Sequence, residues 1–365
     1  MDFLKCTPSV FVIGNEYEIS VNTNENGIIY VKIGDTFYYE DFAGVLSSEK
    51  NHSKIRIPQR ALDNARKYQI VFRRTVNRKA YRSELDEAQT ADFEFKPLTK
   101  TDGINIYHVS DVHYHFDVAK KTCSYFGDDL DLLIVNGDIG EVETVENYVE
   151  VSRFVGDISQ GKIPVIFVRG NHDTRGKLAE RFGDFFPTNA KNTYYDFEIG
   201  PLCGVALDCG EDKPDSHAEY NGVNVFELFR RRETEFLRSV PKKENKLTFA
   251  VSHVCPSCTT RTKGNVFDIE RDVYTEWNAE LDRIGISFMI TGHIHRAFLI
   301  DKNSEMNTLP HNYPVIVGVE CFGNDDLWGT AMTILGNKLT VRFTNSACEI
   351  VKEHTIDLST GDIYE

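Results

Sequence analysis

Seven side chains with metal-ligand chemistry stand directly after short apolar runs in this sequence. The runs cover residues 104–109, 132–135, 165–168, 247–251 and 288–290. The donors that follow them are Asp111, His113, Asp138, Asn171, His253, His293 and His295. Short apolar runs bounded by loops are typical of strands buried on both faces. Ligands bind where loops converge at the carboxyl ends of such strands, so we expect these distant side chains to meet in one cleft.

The number of donors predicts a site for two metal ions. A divalent ion takes about four to six ligands, some of them water, so seven donors fit two ions better than one. Two ions about 3.5 to 4 Å apart need an anion between them, and both carboxylate oxygens of Asp138 can serve. Nitrogen and hard oxygen donors without a thiolate favour Mn²⁺, Zn²⁺ or Fe²⁺ as the two divalent cofactor ions.

The order of these motifs resembles that of the calcineurin-like metallophosphoesterase superfamily. The motifs are Asp111-x-His113, Gly137-Asp138, Gly170-Asn171-His172-Asp173, the isolated His253, and Gly292-His293-x-His295. The likeness covers about residues 104–296. A strand-rich segment before this region is also similar to the N-terminal β-sandwich of purple acid phosphatases.

The resemblance implies a role for each donor. It implies that one metal is held by Asp111, His113 and His295, that the other is held by Asn171, His253 and His293, and that Asp138 bridges the two. It implies that His172 contacts the scissile phosphate and acts as general acid. Purple acid phosphatases place a tyrosine three residues after the bridging aspartate, whereas Glu141 stands there in this chain. We therefore expect a pair of divalent ions and no ferric chemistry.

The predicted activity is the hydrolysis of a small-molecule phosphomonoester or phosphodiester. Two cations neutralise phosphate oxygens and lower the pKa of a bound water toward about 7, which produces a hydroxide for in-line attack. An imidazole beside the metals can lose and regain a proton near neutral pH, which suits His172. Three further residues are candidates for substrate binding: Arg175, His115, and His217 on the polar loop 210–222.

The sequence pattern around these residues predicts two domains. From residue 1 to 98, apolar and polar residues alternate in short runs, as in Ile29, Val31 and Ile33, which is typical of antiparallel strands in a fibronectin-like β-sandwich. From residue 99 to 365, apolar runs alternate with helical spacing over about 145–158 and 225–240. We expect an α/β catalytic domain there, with layered β-sheets flanked by helices in a four-layer body. The spacing of Leu62 and Tyr68 resembles a tyrosine corner.

Composition limits the classes of partner and compartment. The 365 residues include 41 Lys and Arg against 56 Asp and Glu, a net charge of −15, and a field of that sign repels duplex DNA. We find no signal peptide and no apolar stretch long enough for a membrane span, so we expect a cytoplasmic protein. The pair Cys255 and Cys258 has no second Cys-x-x-Cys in the chain, so we expect packed or loop cysteines in the reduced state.

Two alternative functions stay open at this point. One keeps the fold and makes the substrate a single-stranded nucleic acid, which would require a local positive groove. The other is a scaffold for protein recognition that has lost turnover. The complete donor set and His172 argue against the scaffold.

Overall fold

Short antiparallel strands dominate the N-terminal part of the protein, which we describe in a computed structural model that covers residues 2–257 and 264–364. Apolar residues alternate with polar ones along these strands, so that one face of each is buried. The elements are β1 (Ser9–Ile13), β2 (Glu16–Asn22), β3 (Gly27–Ile33), β4 (Thr36–Tyr39), β5 (Asp41–Phe42), β6 (Val45–Leu46), β7 (His52–Pro58), α1 (Gln59–Ala65), β8 (Lys67–Asn77), β9 (Glu84–Leu85) and β10 (Gln89–Glu94).

Strands and helices alternate in the rest of the chain until the last strands, which follow one another. The elements are β11 (Ile104–Val109), α2 (Phe116–Cys123), β12 (Leu132–Asn136), α3 (Val145–Ser159), β13 (Pro164–Val168), α4 (Phe182–Phe185), β14 (Tyr195–Ile199), β15 (Leu202–Leu207), α5 (Phe226–Ser239), β16 (Leu247–Ser252), α6 (Arg271–Ile284), β17 (Phe288–Thr291), β18 (Arg296–Ile300), β19 (Val315–Cys321), β20 (Leu327–Leu335), β21 (Lys338–Thr344), β22 (Ile350–Asp357) and β23 (Ile363–Tyr364). Thr144 and Asn147 form a capping box at the start of α3, which satisfies backbone N–H groups that the helix leaves free.

The elements from β11 onward, which we call the body, form four layers. β11, β12 and β13 lie side by side and parallel, and so do β15, β16 and β17. β19 and β20 join the two halves of the sheet through the pairs Glu320 with Trp328 and Cys321 with Leu327. Between the halves lies an apolar core that includes Ile134 and Phe249. The helices α2 and α3 cover one outer face and α5 and α6 the other, which confirms the predicted α/β class with layered sheets and flanking helices.

The N-terminal strands form a sandwich that shares hydrogen bonds with the body. β1, β2 and β7 pair antiparallel and pack against the sheet of β10, β8, β3 and β4. β1 also pairs parallel with β13 of the body. The Tyr68 hydroxyl donates to the Gly161 carbonyl at 2.9 Å, so the predicted tyrosine corner was wrong. Although the division at residue 98 stays a prediction, the backbone of β1 adds a strand to the body's sheet.

The described residues contain no helix that is both long enough and apolar enough to cross a membrane. Cys6, Cys123 and Cys203 are buried thiols, and Cys255 is also buried. Cys258, the other half of the Cys-x-x-Cys pair, lies outside the described residues.

Candidate metal centre

All seven predicted donors come together at the carboxyl ends of five strands. Asp111 follows β11, Asp138 follows β12 and Asn171 follows β13. His253 follows β16, and His293 and His295 follow β17. Six of these donors fall into two groups whose ligand atoms lie within 4.8 Å of one another, namely Asp111 with His113 and His295, and Asp138 with His253 and His293. Parallel strands end at the same edge of a sheet, which explains how donors up to 184 positions apart reach one place.

The first group contains two imidazoles directed at one carboxylate. The Nε2 atom of His295 lies 3.2 Å from Asp111 Oδ1. The Nε2 atom of His113 lies 3.3 Å from that of His295 and 4.0 Å from Asp138 Oδ2. Two imidazole nitrogens and a carboxylate oxygen that point at one another form the donor arrangement of a cation site.

The second group contains the buried His253. Its Nδ1–H donates to the Asn136 carbonyl at 2.6 Å, which directs Nε2 toward Asp138 Oδ2, 3.1 Å away. This is how proteins fix the ring of a metal-binding histidine. Asp138 reaches both groups, because the same Oδ2 atom also lies 4.0 Å from His113 Nε2.

Asn171 lies between the second group and the shared carboxylate. One terminal atom of its amide lies 3.0 Å from His293 Nδ1 and 3.3 Å from Asp138 Oδ2, and the other lies 3.3 Å from Arg175 Nη2. The amide oxygen is an acceptor that can join imidazole and carboxylate ligands around a divalent ion. The chemistry of these donors therefore fits a bound metal.

The backbone of the site is held in an uncommon conformation. Five of the donors have positive φ angles: Asp111 at 53°, His113 at 44°, Asp138 at 53°, His293 at 69° and His295 at 53°. Each non-glycine residue in this region costs on the order of 1–3 kcal/mol and persists where its surroundings impose it. The fold therefore maintains strain at the residues that carry the donors.

Two glycines allow the loops after β12 and β13 to touch. A Cβ atom on Gly170 would lie 2.3 Å from the Asp138 nitrogen and from its Oδ1, and one on Gly137 would lie 2.4 Å from the Gly170 Cα. Because neither glycine carries a Cβ, the His172 N–H donates to Asp138 Oδ1 at 2.8 Å. The N–H groups of Gly170 and Asp138 both donate to the buried Asp173 carboxylate, at 2.8 and 2.9 Å.

The two buried carboxylates of the site favour a positive charge beside them. Burial raises the pKa of Asp111 and of Asp138, but His253 acts together with His295 on Asp111 and with His172 on Asp138, and these groups leave both pKa values below their ordinary range. Burial lowers the pKa of His253, but the charges of Asp138 and Asp111 and the hydrogen bonds of the ring together raise the net pKa to about 10. Without a metal, His253 therefore carries a proton between two buried carboxylates. A metal ion at the same Nε2 would replace that proton.

His172 lies beside the donor groups and is oriented by a carboxylate. Its Nδ1 atom lies 2.7 Å from Glu141 Oε1, and its Nε2 atom lies 4.0 Å from Asp138 Oδ2. Burial raises the pKa of Glu141, but the hydrogen bond with His172, a backbone hydrogen bond and the nearby imidazoles together bring the net pKa below the ordinary range. Nε2 is thus the ring nitrogen that faces the site.

Arg175 is fixed by a buried carboxylate. Its Nε and Nη2 atoms donate to the two oxygens of Glu211 at 2.7 and 2.8 Å, and the remaining Nη1 lies 3.4 Å from His172 Nε2. Glu211 also accepts a hydrogen bond from the Tyr220 hydroxyl at 3.0 Å. The guanidinium therefore has one terminal nitrogen left for a substrate.

The other two predicted substrate residues lie outside the two donor groups. His115 Nδ1 lies 2.7 Å from Asn324 Oδ1. His217 belongs to the loop 210–222, where its Nδ1 accepts a hydrogen bond from the Glu219 N–H at 3.3 Å.

Sequence reasoning missed several acidic residues that contact the site. They are Glu141, Asp173, Glu211 and Asp212, the last with Oδ2 3.6 Å from His293 Nε2. Glu141 could have been found from the sequence, because it stands three residues after Asp138, where purple acid phosphatases place a tyrosine. Asp173 stood in the Gly170-Asn171-His172-Asp173 motif without an assigned role, whereas Glu211 and Asp212 carry no local pattern that separates them from ordinary loop acids.

Comparisons with known proteins identify the family and the fold that this chain resembles. Residues 104–297 match the sequence profile of a family described as calcineurin-like phosphoesterase. The structure is similar to that of the purple acid phosphatase PPD1 from seeds of yellow lupin (Lupinus luteus), with 12% identity, a TM-score of 0.62, and coverage of 96% of this chain and 74% of that one. It is also similar to a structure of PhoD, with 9% identity, a TM-score of 0.61, and coverage of 99% and 92%. No curated protein matches the chain by sequence. At these identities the two structures show a common fold, N-terminal sandwich included.

Proposed function

This chain belongs to the calcineurin-like phosphoesterase family, and on that premise we propose that it hydrolyses phosphate esters with the help of two divalent metal ions. The observation that carries the proposal is the convergence of the donors into two adjacent groups that share the buried Asp138. Substrates of this class need positive charge beside their anionic oxygens. The donors are arranged to hold the two cations that would supply this charge.

We assign the donors to two ions. Asp111, His113 and His295 would hold the first, and Asn171, His253 and His293 would hold the second. Asp138 would be shared by both, since one of its oxygens lies near a histidine of each group. Nitrogen and oxygen ligands without a thiolate suit Mn²⁺, Zn²⁺ or Fe²⁺.

The remaining groups position the substrate and move a proton. When bound, the two ions neutralise the phosphate oxygens and make a water molecule more acidic. His172 directs Nε2 into the site and donates its proton to the leaving oxygen as the P–O ester bond breaks. Glu141 accepts the hydrogen bond from Nδ1 and so fixes the ring. Arg175 directs Nη1 toward the same place and contacts a phosphate oxygen there.

The proposal is tested by metal content and turnover together. We expect metal-free protein to be inactive and to recover hydrolysis of 4-nitrophenyl esters of phosphate on addition of Mn²⁺, Zn²⁺ or Fe²⁺. Asp138→Asn should lose both bound metal and activity, because an amide cannot bridge two cations as a carboxylate does. Asp117→Asn, at a fully exposed carboxylate of α2, is the matched control and should keep both. Full metal content in Asp138→Asn would contradict the bridging role.

The role of His172 is tested separately. We expect His172→Ala to lower kcat by about 10²- to 10⁴-fold, the usual contribution of a positioned acid, with metal content near that of the wild type. His354→Ala, on β22, serves as a histidine control. Unchanged turnover in His172→Ala would show that another group protonates the leaving oxygen.

A further inference from the structure

We propose that the substrate of this site is a phosphodiester, and that the carboxylates beside His172 select against dianionic monoesters. The inference rests on the proposed function, because it concerns the same site. It names the substrate class from the charge of the groups that surround the scissile phosphate.

Four carboxylates of the described residues contact the groups that would meet the substrate. Glu141 lies 2.7 Å from His172, and Asp212 lies 3.6 Å from His293. Glu211 holds Arg175 at 2.7 Å, and Glu219 lies 3.9 Å from Arg175 Nη1. This side of the cleft is therefore rich in negative charge close to the reacting atoms.

The cations that accompany these carboxylates are already engaged. Both Nε and Nη2 of Arg175 donate to Glu211. The Nζ atom of Lys213 lies 2.7 Å from Glu219 and 3.7 Å from Asp212. Within the part of the chain that the structure describes, neighbouring carboxylates largely offset the positive charge of both cations, so Arg175 keeps one nitrogen for a phosphate oxygen but little net charge for a second negative charge.

The two ester classes differ in charge at the scissile phosphate. A phosphodiester carries one negative charge, whereas a monoester approaches two at pH 7 because its second pKa is about 6. Asp111 and Asp138 are proposed ligands of the two metal ions and would neutralise part of the positive charge of these ions. A site built for a dianion would present uncommitted arginine or lysine groups to the extra charge. Here the extra charge would meet Glu141 and Glu219 instead.

The reaction is a balanced hydrolysis. An oxygen from water forms a bond to phosphorus, one P–O ester bond breaks, and the leaving oxygen takes a proton from His172. The attacking water loses one proton, which replaces the proton that His172 has given up. The products are one alcohol and one phosphomonoester. The monoester product carries the second negative charge, so the same carboxylates favour its release.

The test compares two esters with the same leaving group on the metal-loaded protein. We expect kcat/KM, relative to the uncatalysed rate, to be higher for bis(4-nitrophenyl) phosphate than for 4-nitrophenyl phosphate. Glu219→Gln removes one negative charge and should shift this ratio toward the monoester by about fivefold, as expected for partly screened charges several ångströms apart. Glu94→Gln, at an exposed carboxylate of β10 in the N-terminal sandwich, should leave the ratio unchanged.

The outcomes separate this inference from the function on which it rests. Hydrolysis with a preference for the monoester, or with no preference, would overturn the inference and leave the proposed function intact. A ratio that does not change in Glu219→Gln would also overturn it, because the carboxylates would then not select. No hydrolysis of either ester, with both metals bound, would refute the proposed function itself.

Discussion

Replacing Glu141 by glutamine tests how much the orientation of His172 contributes to catalysis. In the wild type a carboxylate oxygen lies 2.7 Å from Nδ1, at the short end of hydrogen bonds with an ionised partner. Glutamine keeps the size of the side chain and an oxygen acceptor but removes the charge. The ring therefore loses charge assistance while it keeps a neutral hydrogen bond.

The size of the effect follows from the two kinds of hydrogen bond. A bond to a charged group contributes about 1.5–3 kcal/mol and a neutral one about 0.5–1.5 kcal/mol, so the exchange removes about 1–2 kcal/mol. If this difference is expressed in the transition state, kcat falls by about 5- to 30-fold. The Glu141 side chain is partly exposed, which places the expected value near the lower limit.

The assay measures kcat with a 4-nitrophenyl ester and metal content by elemental analysis on the same samples. The control is Glu143→Gln, which removes a neighbouring exposed carboxylate 3.7 Å from Lys177 and should leave kcat unchanged. Glu141, His113 and His172 also form a group whose ligand atoms lie within 4.8 Å of one another. A loss of one metal ion in Glu141→Gln would therefore refute the positioning role and make Glu141 a ligand. An unchanged kcat would show that the charge of Glu141 does not contribute to turnover.

Two further predictions concern packing and acid stability. Gly170→Ala should lower metal affinity at least tenfold and destabilise the fold by about 1–3 kcal/mol, as expected for an overpacked site, because the added Cβ would lie 2.3 Å from Asp138. Metal titration and thermal unfolding check this, with Gly183→Ala, whose Cβ would meet a side-chain methyl at 3.1 Å, as the control; equal affinities would contradict it. His52 stacks on Phe185 at 4.4 Å, and burial, together with Lys50, lowers its pKa to about 4. Because the unfolded chain binds this proton more tightly, with a pKa of about 6.5, the stabilisation is complete above about pH 6.5 and is lost as the pH falls toward 4. The expected loss is about 2 kcal/mol at pH 5. Urea unfolding at pH 7.5 and pH 5 should show a smaller pH effect in His52→Gln than in the wild type, and an equal effect would show that His52 does not contribute.

The sequence alone determined the strands of the body and the polar residues at their ends. A run such as 132–135 is apolar at every position because both faces of β12 are buried, and this pattern is visible without any partner strand. Since the donors directly follow such runs, their convergence at one edge could be predicted from the order of elements. The same holds for α3, whose apolar spacing indicates the face that packs on the sheet. In α5 the apolar spacing does not mark the buried face, because Leu228 is exposed while Arg230 and Glu233 are buried.

The tertiary structure alone decided which side chains meet once the strands are in place. Arg175 was predicted to bind substrate, and the structure adds that its Nε and Nη2 are bound to Glu211, 36 residues later, which leaves Nη1 directed at the site. The pairing of β1 with β13 crosses the predicted boundary at residue 98. Neither contact could be read from local spacing, because side-chain direction and loop path depend on packing against residues distant in sequence. Periodicity reports whether a position is buried, whereas the partner of a buried or charged group is set by the assembled fold.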